Sequence, residues 1–154
     1  MNIELHGSTI IGDIEIEAAP EAVFDALTTP EDLAAWWGAD GVYRTHDWQI
    51  DLRPGGEWNC RATSAGGEMT VHGVYIEVER PRTLAYTWNP SWEQIPATTV
   101  RYTLTRIAGG TRVHFEHSGF DGQLKSQQGH SQGWVRVIEW LAGYLQGKGK
   151  AVAQ

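Results

Sequence analysis

The chain has 154 residues and carries 12 Lys and Arg against 19 Asp and Glu, a formal charge of −7. A surface of that sign repels phosphate backbones and anionic lipid, so nucleic acid is not an expected partner. The single cysteine, Cys60, has no internal disulfide partner, residues 1–8 lack the basic and apolar regions of a signal peptide, and no apolar run approaches the roughly 20 residues that cross a bilayer.

These features predict a cytoplasmic protein without membrane insertion, built as one domain over residues 1–146 with a flexible tail at 147–154. Residues 10–16 read as a first strand. Ala19, Pro20 and Glu21 then open a short helix, proline in its first turn and acid beside it, with Val23, Phe24 and Leu27 as the buried face. Thr29, Pro30, Glu31 and Asp32 open a second in the same way; Leu33, Trp36 and Trp37 are its apolar residues and Gly38 stops it.

After Gly41 the pattern changes to period two, with strands predicted near 45–52, 57–63, 69–79, 83–89, 98–106 and 111–117. The turns Arg53-Pro54-Gly55-Gly56 and Ala108-Gly109-Gly110 punctuate them. Residues 89–97, with two prolines and Trp92, read as an open loop and a candidate lid. Beyond His117-Ser118-Gly119-Phe120 a long helix carries Trp134, Val137, Ile138, Leu141 and Leu145 at helical spacing. A lone terminal helix buries such a stripe by lying across the sheet, which predicts a two-layer α+β domain.

Alternation assigns the strand faces. Trp58 and Cys60 are predicted to face inward, as are His72, Val74, Ile76 and Val78. Leu84, Tyr86 and Trp88 follow, then Val100, Tyr102 and Leu104, and finally Val113, Phe115 and His117. An aromatic, uncharged layer with a few polar tips has the chemistry of a small-molecule cavity. The alternative is that the eight tryptophans fill a dry core, each indole N–H finding one partner.

The segments Ala19-Pro20-Glu21-Ala22-Val23-Phe24-Asp25-Ala26-Leu27 and Trp36-Trp37-Gly38 resemble the SRPBCC superfamily, also called START or Bet v 1-like helix-grip proteins. Asp51-Leu52-Arg53-Pro54-Gly55-Gly56, Pro81-Arg82-Thr83-Leu84-Ala85-Tyr86-Thr87-Trp88, His117-Ser118-Gly119-Phe120 and Gly133-Trp134 narrow the match to the branch homologous to the C-terminal domain of the heat-shock-protein-90 ATPase activator. The resemblance implies a curved seven-stranded antiparallel sheet gripping the terminal helix, with two short helices after strand 1, often around an apolar cavity. Its members include carriers, cyclases and hydrolase-like enzymes, so it leaves the activity open.

No metal or cofactor is expected. His72, His117, His130 and Cys60 match no ligand spacing, and His114 and His117 point to opposite sides of one strand. No glycine pair sits between strand and helix as a phosphate loop would. Cys60 reads as a small buried hydrophobe. The leading expectation is binding of a small, largely apolar or aromatic molecule by Trp36, Trp58, His72, Tyr86, Trp88, Tyr102, His117 and Trp134. A cyclase or hydrolase using His72 or His117 as acid or base is the second, and a co-chaperone-like interaction module the third. Homodimerisation is left open.

Overall fold

Proline at the first helical position, followed by acid, starts both short helices: α1 (Pro20–Thr28) with Glu21, and α2 (Pro30–Trp36) with Glu31 and Asp32. Val23, Phe24 and Leu27 of α1 and Leu33 and Trp36 of α2 are buried as their spacing requires. At Gly38 the chain turns back with φ +136°, and a Cβ there would stand 2.5 Å from the Tyr43 carbonyl oxygen, so only glycine fits.

The computed structural model describes residues 1–153, with side chains through residue 147. Its sheet strands are β1 (Asn2–His6), β2 (Thr9–Ile16), β3 (Gly38–Ala39), β4 (Tyr43–Ile50), β5 (Glu57–Ser64), β6 (Gly67–Glu79), β7 (Thr83–Pro90), β8 (Thr98–Ile107) and β9 (Gly110–Ser118). All pairings are antiparallel, in the order β1-β2-β9-β8-β7-β6-β5-β4-β3. The seven expected strands are β2 and β4 to β9; β1 and the two-residue β3 extend the edges to nine. In β1 only Ile3 is partly buried, which leaves no alternation to read.

Helix α3 (Leu124–Ala153) lies on the sheet and buries Trp134, Val137, Ile138, Leu141 and Leu145, the whole predicted stripe. The segment 147–154 read as a tail continues this helix backbone to Ala153, and residue 154 lies outside the described residues. One polar residue joins the helix to the first hairpin: the buried Gln127 amide donates to the carbonyl oxygens of Gly7 (3.0 Å) and Thr9 (3.3 Å). Among the described residues no helix is long and apolar enough to cross a membrane.

In β6 the predicted faces are corrected. Val71, Gly73 and Tyr75 point inward, while His72, Val74 and Ile76 are exposed, Ile76 at 46 %. The register with β7 slips by one residue between Tyr75 and Glu77. Val78, beyond the slip, does pack against the core. Alternation carried backward from Val78 across this bulge therefore inverts every residue before it. Gly73 belongs inside because a Cβ there would meet the Thr87 carbonyl oxygen at 1.9 Å and the Trp58 indole nitrogen at 2.6 Å. A second slip in β4, between His46 and Gln49, places Asp47 at φ 54° and brings Trp48 to the inner side with Thr45.

Candidate functional site

Between α3 and the inner face of β4 to β7 the fold forms a cavity of about 720 Å³ that is partly open to solvent. Trp37, Trp88, Trp134, Val71, Met69 and Val137 supply much of its apolar wall. Trp37, at the end of α2, stacks on Trp36 at 5.1 Å and on Trp88 of β7 at 6.0 Å and 14°. Trp48 adjoins it at 5.8 Å, and on the helix side Phe115 lies under Trp134 at 4.3 Å. Offset aromatic packing of this kind makes a rigid wall.

The polar tips of that wall are largely engaged by one another. The Trp134 indole N–H donates to Nδ1 of His117 (3.0 Å). An indole has only a proton to give, so Nδ1 is the acceptor and the His117 proton sits on Nε2, which donates to Oγ1 of Thr98 (2.7 Å). Burial, and secondarily the neighbouring His130, lowers the His117 pKa to about 3. The ring is thus a neutral cross-link among β8, β9 and α3. His130 repeats the pattern with the other tautomer: Trp88 Nε1 donates to Nε2 (3.2 Å), and Nδ1–H donates to the Ser126 carbonyl (2.9 Å).

Trp37 Nε1 donates to the Tyr43 hydroxyl (3.2 Å), and the Thr45 hydroxyl donates to the Trp37 carbonyl (2.6 Å). The stacked pair Trp48 and Trp58 contains the buried indoles whose N–H finds no acceptor among the described residues. Cys60 lines the cavity with its thiol pushed up to about 12 by burial, which makes it a poor nucleophile.

Of the residues singled out by sequence, Trp88, His117 and Trp134 come together on the cavity wall. Trp36, Trp58, Tyr86 and Tyr102 are buried behind it. Trp36 donates to the Ala26 carbonyl (2.8 Å), and the two tyrosine hydroxyls bond each other at 2.9 Å, with burial raising both pKa values. His72 is separated from them on the outer face of β6. Trp37, the other tryptophan at the end of the second helix, lines the wall, and wall residues outside the expected set include Trp48, Trp92, Glu93 and His130. His130 was legible, since it precedes Trp134 by four residues and so shares its helix face; Trp48 was hidden by the β4 bulge.

No group of three or more His, Cys, Asp or Glu among the described residues is placed to hold a metal ion. No curated protein matches the sequence. Solved structures of similar fold include a Rhodobacter sphaeroides protein (20 % identity, 97 % of this chain and 98 % of that one, TM-score 0.82). A Nitrosomonas europaea protein (25 %, 92 % and 96 %, 0.78) and a Mesorhizobium loti protein (27 %, 89 % and 96 %, 0.72) share it. The family model described as "Activator of Hsp90 ATPase homolog 1-like protein" matches residues 17–146. With most of its length under that match and a long helix laid on an antiparallel sheet, the chain belongs to this family.

Proposed function

We propose that the protein binds a small, neutral, largely aromatic molecule between α3 and the sheet. The observation that carries this reading is the cavity of about 720 Å³, within the range of small-molecule sites, walled by aromatic side chains. Most polar atoms of the wall are already committed to protein partners, so an apolar guest leaves them undisturbed. The enzyme reading through an inward histidine has less support: both nitrogens of His117 are occupied, and desolvation opposes its taking a proton.

Titration with N-phenyl-1-naphthylamine, a neutral probe that fluoresces in apolar surroundings, tests the reading. Stoichiometric uptake is expected in the wild type. Ala62 is a small wall residue on β5, and Ala62→Phe should cut affinity about tenfold or more by occupying the guest's volume, with the fold retained. If the wild type takes up neither this probe nor any of a panel of aromatic compounds, the reading falls.

A further inference from the structure

One cavity group lies between two sets of partners that respond oppositely to a proton. On the wall side, Trp88 donates to Nε2 of His130, a bond that exists only while that nitrogen keeps its lone pair. On the loop side, residues 91–97 bring Trp92 and Glu93 over the same ring. Trp92 stacks on it at 6.4 Å and 24°, and Oε1 of Glu93 is 3.6 Å from Nδ1. Both loop residues border the cavity, and Trp92 is 48 % exposed, so this loop and α3 meet at the edge of the cavity.

The charged or titratable groups around His130 come from the loop, β9 and α3. The loop gives Glu93, β9 gives His117, held neutral by burial, and α3 itself gives Lys125 on the cavity rim. Trp88 from β7 and Phe120 before α3 add uncharged rings. Protonation of Nε2 would set two N–H groups facing each other and break the Trp88 bond. It would also turn the Glu93 contact into an ion pair and the Trp92 stack into a cation–π contact.

We propose that His130 is a proton-operated latch: neutral, it braces the wall through Trp88; protonated, it draws the loop of residues 91–97 down onto α3 and closes the cavity. The latch rests on the cavity being a binding site. Acid should therefore slow ligand release, because both loop contacts strengthen while the wall bond is lost.

The test measures stopped-flow release of N-phenyl-1-naphthylamine at about pH 8 and about pH 6 in the wild type, His130→Gln and Glu93→Gln. Release from the wild type is expected to slow about fivefold at the lower pH; His130→Gln should release at nearly the same rate at the two values, and Glu93→Gln should keep only the smaller part of the slowing that the Trp92 contact supplies. Glu93→Gln changes a loop residue and keeps the test valid should His130→Gln fail to fold. Equal wild-type rates at both pH values, or an acid effect that persists undiminished in either variant, would overturn the latch. Backbone amide line widths of residues 91–97 in the ligand-free protein are read over the same pH range. If the probe does not bind yet these widths respond to pH in the wild type alone, the latch stands and the binding reading is what fails. If they do not respond, the latch is overturned on its own account.

Discussion

The His117 ring accepts from Trp134 and donates to Thr98, and its surroundings resist a cation. In the unfolded chain the imidazole takes a proton below its ordinary value of 6.5, whereas in the folded protein it does so only near about 3. Between those values the unfolded state binds more protons, so this residue's contribution to stability is complete above 6.5 and declines as the pH falls through the window. The slope approaches about 1.4 kcal/mol per pH unit. Glutamine offers a carbonyl to Trp134 and an amide proton to Thr98 without titrating. In denaturant titrations at stepped pH, His117→Gln is expected to remove most of that acid slope relative to the wild type while keeping most of the stability near neutrality. An unchanged slope would mean that the ring is not held neutral.

The elements divide into those whose faces follow from period alone and those bent by an extra residue. Leu141 sits mid-stripe on α3, fully buried between Ile138 and Leu145, so Leu141→Ala is expected to cost about 2–5 kcal/mol through lost burial and the cavity left behind. A lowered denaturant midpoint with an unchanged slope would report it. The stripe is readable because a continuous helix keeps its phase, and the inward face of His117 follows from period because β9 pairs with both neighbours without a slip. The face of His72 does not, because the β6 bulge inverts the phase, and the more aliphatic set Val74 and Ile76 lies on the exposed face. The β4 bulge concealed Trp48 in the same way. A bulge leaves little trace in composition, so site residues on either side of one depend on three-dimensional pairing. Trp92 and Glu93 belong to an irregular loop, where no period exists to assign a direction.

At the scale of the whole molecule the cavity sets room for a guest against stability, since wall atoms facing empty space forgo contacts a filled core would make. Helix α3 shows the same opposition. Gly133 borders the cavity and Gly143 does not, yet in both cases nothing lies within 4 Å of where a Cβ would stand. Glycine inside a helix is about 1 kcal/mol less favourable than a good helix former, so neither is retained for close packing in the ligand-free protein. Gly133→Leu and Gly143→Leu should therefore each raise the denaturant midpoint, by an amount corresponding to about 0.5–1 kcal/mol. Their effects on binding should diverge: the Gly133 variant sends its side chain into the guest's space and is expected to weaken naphthylamine binding about tenfold, while the Gly143 variant leaves it within about twofold of the wild type. Parallel gains in stability with a loss of affinity in the first variant alone would place the guest against α3 at Gly133. Equal affinities in the two variants would move it away from the helix and toward the tryptophans of β4 and β7.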